Sequence, residues 1–227
     1  MCVTGEPRLE VGRAIDLPRD QHRAVEEERG LALLHDLEPC VAEPGFSALV
    51  RVAVGGREHT LLFDTGVSPN GMVENMRRLG ISPADIEAIV LSHGHWDHVT
   101  GMEGLARELG RTRLPAMIHP EFWARRRIRF PGLDPAELPA TSRTALEDLG
   151  FSIVEERQPS FLLDGAVLIT GEVDRTTAFE TGFQGHEARH GNAWEPDPLI
   201  LDDQALVARV RDRRTPSRSR SCDRPPP

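Results

Sequence analysis

The segment Ser92–His98, with the sequence SHGHWDH, contains four potential metal ligands within six residues: His93, His95, Asp97 and His98. In an extended segment alternate side chains share one side, so the first two imidazoles can converge on one metal while the last two groups turn to a second. Imidazole nitrogen and carboxylate oxygen both bind zinc at about 2.0–2.2 Å. The alternative is a polar loop with surface histidines, which would suit a lone histidine better than four clustered donors. The spacing therefore predicts a metal site.

The residues before this motif predict a rigid support for it. Ile86–Leu91 is a short apolar run, typical of a buried strand, and the motif begins at its carboxyl end. Upstream, Ser47–Val54 and His59–Phe63 are rich in β-forming residues and flank the turn signal Gly55-Gly56. This pattern predicts a β-hairpin that leads into Asp64-Thr65-Gly66, a loop.

The remaining pattern alternates between helices and strands, which indicates an α/β layered fold. Apolar residues at helical spacing predict helices at Asn70–Leu79, around Met102–Leu109, and from Thr141 or Ser142 to Leu149; each is followed by glycine. Ser82-Pro83 is a helix-start signal. Further strands are predicted at Ala116–His119, Phe151–Val154, Phe161–Leu163 and Ala166–Thr170. Residues 171–198 are predicted to form a long loop, and Leu199–Leu201 with Ala205–Val210 a second hairpin.

Length and composition narrow the class of protein. The 227 residues suit one domain, predicted at residues 31–212, after a polar, flexible leader at 1–30. Residues 213–227 hold five arginines, four prolines and three serines and predict a disordered tail; a basic nucleic-acid arm is the alternative.

The net charge of −9 disfavours nucleic acid as the main partner. Three widely spaced cysteines and the lack of a long apolar run favour a soluble, cytoplasmic protein without a membrane partner. The oligomeric state stays open.

The HxHxDH spacing, with an apolar strand before it and FDTG upstream, resembles the metallo-β-lactamase superfamily. The resemblance implies an αββα sandwich, classed as α/β or α+β, with two divalent metal ions. Zinc is expected, with iron or manganese as alternatives. The family pattern assigns His93 and His95 to the first metal, and Asp97 and His98 to the second. It also implies that Asp64 supports the site from behind, whereas a simple turn with Gly66 is the alternative.

A longer set of segments resembles one branch of that superfamily, the dihydropterin–ribofuranosylaminobenzene phosphate synthases and their relatives. These segments, within roughly residues 33–210, are AEPGFSALV, LLFDTG, GISPADIEAIVLSHGHWDHVTGMEGL, LITGEV and PDPLILDDQALV. Asp174 stands where the branch has proline, in GEVPR. The branch also continues into a GCxH segment with a further ligand histidine, and this chain instead enters its Arg/Pro/Ser segment. We therefore expect the second half of the domain to be incomplete, because of a truncation or a frameshift near Arg211–Thr215.

Other residues are candidates to complete the metal site or contact substrate. Glu172 lies within the matched LITGEV segment. His186 and His190 are spaced by four, but glycines flank GHEARHG, so a solvated loop is the favoured interpretation. His119, before proline, is expected to be structural.

Three functions are compatible with these observations. The first is a hydrolase that uses a metal-bound hydroxide on a small molecule, possibly a phosphorylated one, with Asp97 as the catalytic residue that orients the hydroxide. The second is a transferase resembling the pterin synthases, in which arginines of Trp123–Arg129 contact phosphate; a solvated helix face is the favoured alternative for that cluster. The third is a truncated, catalytically weak or inactive family member.

Overall fold

The structure, a computed structural model, describes residues 8–11, 40–110 and 113–209. Within the predicted leader, Arg8–Val11 forms strand β1. The rest of residues 1–30 and the predicted tail at 213–227 lie outside the described residues. No helix in the described ranges is both long enough and apolar enough to cross a bilayer.

A six-stranded mixed sheet forms the centre of the described fold, in the order β1-β2-β3-β4-β5-β8. The predicted first hairpin is confirmed, because β2 and β3 pair along their whole length across Gly55-Gly56. From β3 onward, neighbouring strands in this sheet are parallel. After β1, the strands are β2 (Ala48–Val54), β3 (Arg57–Phe63), β4 (Ala88–Val90), β5 (Pro115–Ile118) and β8 (Ser152–Glu155).

Two smaller antiparallel sheets complete the strand architecture of the described residues. One has the order β13-β10-β9 and the other β12-β11-β6-β7. Their strands are β6 (Arg126–Ile128), β7 (Ala136–Glu137), β9 (Ser160–Leu162), β10 (Val167–Ile169), β11 (His186–His190), β12 (Ala193–Pro196) and β13 (Leu206–Ala208).

The predicted helices are confirmed, with bounds shifted by one to a few residues. They are α1 (Gly71–Arg78), α3 (Met102–Leu109) and α4 (Arg143–Asp148). A short helix that was not predicted, α2 (Trp96–Val99), lies within the motif, and 3-10 turns occur at Pro83–Asp85, Pro120–Trp123 and Leu163–Gly165. Ser82 accepts a hydrogen bond from the Ala84 amide, and Ser142 one from the Ala145 amide, so both act as N-caps.

The central sheet buries apolar residues on both faces, as a sandwich requires. Alternation along β3 sends Leu62 towards the helices, where it packs with Met72 and Leu105. Leu61 faces the opposite way and packs with Val50 and Val167. The described residues thus contain a helix layer, the central sheet and a second sheet, an α/β arrangement that agrees with the predicted αββα class.

Three predictions in the C-terminal part are wrong. Residues 171–198 are not one long loop, because β11 pairs with both β12 and β6. The solvated loop predicted for GHEARHG is therefore a strand, closed by a tight turn in which Gly191 has φ +59°. The predicted hairpin of Leu199–Leu201 with Ala205–Val210 is absent from the described residues, since β13 pairs with β10.

The arginine-rich segment also differs from its predicted form. Trp123–Arg129 is not a solvated helix face, because Arg126–Ile128 is strand β6 and pairs with β11. Arg126 is buried. Strand pairing with residues about sixty positions later overrides local helix propensity here.

Candidate metal centre

The site is built where two adjacent parallel strands end. Phe63 of β3 pairs with Val90 of β4, so the residues that follow these strands emerge at the same edge of the sheet. The Asp64 amide donates to the Val90 carbonyl at 3.0 Å, and Ser92 follows Leu91 on the neighbouring strand. In α/β sheets the carboxyl ends of parallel strands commonly carry functional groups.

Asp64 is the buried anchor of this edge, with 1% of its surface exposed. Its Oδ1 accepts from the Ser92 amide at 2.7 Å, and its Oδ2 accepts from Ser92 Oγ at 2.7 Å. The same Oδ2 lies 2.8 Å from His98 Nδ1. The backbone of Asp64 has φ +57°, a conformation that aspartate tolerates better than most residues.

The contact with Asp64 orients the His98 ring. Burial lowers the pKa of His98, but the hydrogen bond to Asp64 and its negative charge outweigh burial and raise it. With Nδ1 engaged, Nε2 is directed away from Asp64 and lies 3.6 Å from Asp97 Oδ2. This geometry places Asp64 behind the histidine, as a carboxylate that orients a metal-binding imidazole would lie.

The three motif imidazoles gather closely. The ring centroids of His93 and His95 are 4.6 Å apart, and those of His93 and His98 are 4.2 Å apart. The backbone bends at Ser92 and Gly94, is extended at His95, and then forms the helical turn α2 at Trp96–Val99. The extended geometry expected for the motif therefore does not hold at Asp97 and His98, and the His98 ring lies beside that of His93 from within a helical turn.

Burial keeps two of these imidazoles neutral. It lowers the pKa of His93 to about 2, and the neighbouring His98 and His95 act in the same direction. Burial likewise lowers the pKa of His95 to about 3, with the Arg126 charge adding to the effect. A neutral imidazole has the free lone pair that metal coordination requires.

The imidazole nitrogens and the carboxylate of the motif are donors that suit a divalent metal, although the side chains are not arranged around a single point. Within residues 40–110 and 113–209, no three His, Cys, Asp or Glu side chains stand in a metal-binding group. His95 Nε2 is nevertheless buried without a hydrogen-bond partner, and so is His186 Nδ1. A buried polar atom without a partner costs about 1–3 kcal/mol, and a ligand would remove this cost.

His186 is brought to the motif by β11. Its ring centroid lies 5.2 Å from that of His95. His190, four residues later on the same strand, is exposed. The structure thus separates the two histidines, which the sequence pattern alone could not do.

Glu172 lies apart from the motif histidines. Its carboxylate pairs with Arg157 and lies 3.4 Å from Nε2 of the buried His119. These contacts place Glu172 beside the end of β5, and no described contact joins it to the motif histidines.

A buried ion pair that the sequence did not predict holds the motif loop. Asp202 Oδ2 accepts from the Gly94 amide at 2.7 Å, and its Oδ1 accepts from Arg126 Nη2 at 2.5 Å. A Cβ at position 94 would overlap the Phe122 carbonyl oxygen, so close packing requires glycine there. Gln204 Nε2 also donates to the Leu91 carbonyl at 2.9 Å. The adjacent acidic residues Asp202 and Asp203, in the segment DDQ, were the signal in the sequence that could have pointed to this ion pair.

Asp203 is a second residue that sequence reasoning missed. Its Oδ1 lies 3.9 Å from His93 Nδ1, and Arg175 donates a hydrogen bond to its Oδ2. Burial raises the pKa of Asp203, and the Arg175 charge opposes that shift. A carboxylate therefore faces the imidazoles from the segment before β13.

Comparison with known proteins gives related sequences and folds. A 7,8-dihydropterin-6-methyl-4-(beta-D-ribofuranosyl)-aminobenzene-5'-phosphate synthase of Methanocaldococcus jannaschii is 31% identical over 137 residues, covering 60% of this chain and 46% of that protein. The crystal structure of Tm1679, a metal-dependent hydrolase of the beta-lactamase superfamily, has a TM-score of 0.54 at 22% identity. That match covers 76% of this chain and 57% of the other. The chain thus spans about half the length of these relatives.

The family itself is shown by the sequence. The family model of the metallo-beta-lactamase superfamily matches residues 41–188, which include β2 to β5, the HxHxDH motif and most of β11. Together with the site geometry and the fold, this match shows that the chain belongs to the metallo-beta-lactamase superfamily.

Proposed function

We propose that the chain is a metal-dependent hydrolase acting on a small molecule, with His93, His95, Asp97 and His98 as metal ligands. The observation that carries the proposal is the gathering of three imidazoles at the carboxyl end of β4, one of them oriented by the buried Asp64. Buried carboxylates that orient a ligand histidine in this way are typical of metal sites.

Two divalent ions, zinc in the first instance and iron or manganese as alternatives, would polarise a carbonyl or phosphoryl oxygen and lower the pKa of water. The protein's own residues supply position and access. His93 and His95 are largely buried and present neutral nitrogens. Asp97 has 38% of its side chain exposed, so its carboxylate can orient a water molecule that enters from solvent.

Two further side chains are candidates to complete the ligand set. His186 approaches His95, and Asp203 approaches His93. Both come from segments late in the chain, Asp203 from the segment before β13 and His186 from β11. Glu172 is the weaker candidate, because Arg157 and His119 hold its carboxylate.

A transferase is the second candidate, and the 31% identity to the dihydropterin–ribofuranosylaminobenzene phosphate synthase favours it. The arginines predicted to contact phosphate are engaged with carboxylates in the described structure. Arg125 pairs with Glu137, and Arg127 and Arg129 both pair with Glu187. A phosphate would have to share or displace these partners. The third candidate is a weak or inactive family member.

One experiment separates the three candidates. The purified full chain is assayed for bound metal by elemental analysis, and for chelator-sensitive hydrolysis of bis(p-nitrophenyl) phosphate and p-nitrophenyl acetate. A parallel assay measures diphosphate release from a dihydropterin diphosphate. The hydrolase proposal predicts bound metal and ester hydrolysis that His95→Ala abolishes and His190→Ala preserves. Diphosphate release without hydrolysis would favour the transferase, and metal-free, inactive protein the third candidate.

A further inference from the structure

A cleft beside the candidate metal centre is lined by exposed apolar rings. It has a volume of about 490 Å³ and lies between the turn that follows β6 and the segment that precedes β11. Phe130, Leu133 and Phe183 are among its lining residues, together with Arg129 and Gly185. This volume falls within the range of about 300–1,000 Å³ that small-molecule sites occupy.

The apolar side chains of the cleft are unusually open to solvent. Phe130 is 48% exposed, Phe183 44% and Leu133 67%. Single exposed apolar residues are common, but three that line one concavity mark a surface that gains free energy when a ligand covers it.

The two phenylalanine rings form an aromatic wall. Their centroids are 5.9 Å apart, with an interplanar angle of 51°. The Phe183 ring lies over Gly185, where an added Cβ would come within 2.8 Å of it. The backbone also fixes this segment, because the His186 amide donates to the Phe183 carbonyl at 3.0 Å. A planar ring can stack against such a wall at the spacing that aromatic pairs prefer, about 4.5–7 Å between centroids.

Ring contacts connect this wall to the candidate metal centre. Phe183 meets His186 edge to face, with centroids 5.0 Å apart, and His186 in turn lies 5.2 Å from His95. A ligand in the cleft is therefore only one histidine away from the metal-binding motif.

Arg129 brings a positive charge to the lining of the cleft. Arg127 and Arg129 both donate hydrogen bonds to the single carboxylate of Glu187. Two guanidinium groups that share one carboxylate leave a surplus positive charge. A negatively charged group can bind there through charge-assisted hydrogen bonds.

We propose that this cleft binds an aromatic group that carries a negative charge, as the recognition element of the substrate processed at the metal centre. The substrate class is therefore an aromatic carboxylate or phosphate whose reacting bond lies towards His95. The role in substrate recognition rests on the proposed function, but binding in the cleft requires only Phe130, Phe183 and Arg129.

The test measures the dissociation constant of 2-naphthoate for the purified full chain by calorimetry, with and without a chelator. Phe183→Leu and Phe130→Leu are expected to weaken binding roughly threefold to tenfold, the cost of losing one aromatic pair. Arg129→Gln is expected to weaken binding of 2-naphthoate but not of neutral 2-naphthamide. Phe161→Leu, at an exposed phenylalanine of β9, and Arg57→Gln, at an arginine paired with Glu87, are matched controls.

Three results would overturn the proposal. They are unchanged 2-naphthoate binding in both phenylalanine variants, equal binding of cyclohexanecarboxylate, and equal binding of the neutral amide. Thermal unfolding of each variant identifies misfolded protein, and the two phenylalanines provide independent variants. If the chain holds no metal but 2-naphthoate binds as described, the hydrolase proposal fails while the cleft is retained. If metal and hydrolysis are present but these variants have no effect on binding, only the cleft proposal fails.

Discussion

Asp202 and Gly94 are joined by a 2.7 Å hydrogen bond that spans 108 positions of sequence. The carboxylate that accepts this bond is fully buried and also pairs with Arg126, itself 5% exposed. The loop that carries the candidate metal ligands is therefore tied to a buried ion pair. The conformation of the motif depends on a residue far outside it.

Replacing Asp202 with alanine is expected to destabilise the protein strongly. The change leaves the buried Arg126 guanidinium without its main partner, which typically costs about 3–5 kcal/mol. Asp197 Oδ2, 3.8 Å from Arg126 Nε, compensates part of the charge, so the lower end of this range is expected. Chemical denaturation measures the loss, and Asp134→Ala, at an exposed aspartate, is the control.

The double variant Arg126→Met/Asp202→Leu separates stability from positioning. It removes both charges and should recover most of the free energy of unfolding, because a buried pair replaced by apolar groups is often near neutral. It cannot restore the hydrogen bond to Gly94, so metal affinity should stay reduced. Wild-type metal affinity in the double variant would show that Asp202 does not position the motif.

Asp64→Asn is expected to weaken metal binding about 10–100-fold, the usual effect of losing an orienting carboxylate. Asparagine tolerates the positive φ of this position and can still accept from the Ser92 amide. Its amide group cannot provide the charged acceptor beside His98 Nδ1. Chelator competition measures the affinity, with Asp85→Asn as a matched control. Unchanged affinity would indicate that Asp64 only shapes the turn with Gly66.

His186→Ala and His190→Ala form a matched pair on one strand. His186 contacts the His95 ring, and its buried Nδ1 has no hydrogen-bond partner. Its removal should lower metal affinity or hydrolytic rate at least tenfold, whereas the exposed His190 should be replaceable without effect. Equal behaviour of the two variants would argue against His186 as part of the site.

The metal-free protein is expected to lose stability as the pH falls below about 6.5, the ordinary pKa of histidine. His93 and His95 have folded-state pKa values of about 2 and about 3, so they stay neutral in the fold while the unfolded chain takes up protons. Two such groups give a slope of up to about 2.7 kcal/mol per pH unit. Denaturation at pH 7, 6 and 5 in chelator tests this, and His93→Asn/His95→Asn should show a flatter profile. An identical profile in that variant would exclude these two groups as the cause.

The parts of the fold that the sequence predicted are those set by local signals. The first hairpin follows from Gly55-Gly56 between two β-rich runs, and the helices follow from apolar residues at helical spacing with a glycine after the last turn. The position of the motif after a buried strand follows from the apolar run Ile86–Leu91. Neighbouring residues alone determine these features.

The features that were missed depend on partners distant in sequence. β11 is too polar to be recognised as a strand from its own sequence. It forms because β6 supplies backbone hydrogen-bond partners. The dipeptide Gly191-Asn192 was the one local signal of a hairpin. The ion pair of Arg126 with Asp202 likewise joins residues 76 positions apart. Such pairings are visible only after the chain has folded.

The metal content of the protein shows directly whether His93 and His95 are metal ligands. Elemental analysis is applied to the wild-type full chain and to His93→Ala, His95→Ala and His190→Ala, each purified identically and incubated with zinc. Bound zinc is expected in the wild type and in His190→Ala, and tight binding should be lost in the other two. Equal metal content in all four proteins, or none in the wild type, would contradict the assignment of these histidines as metal ligands.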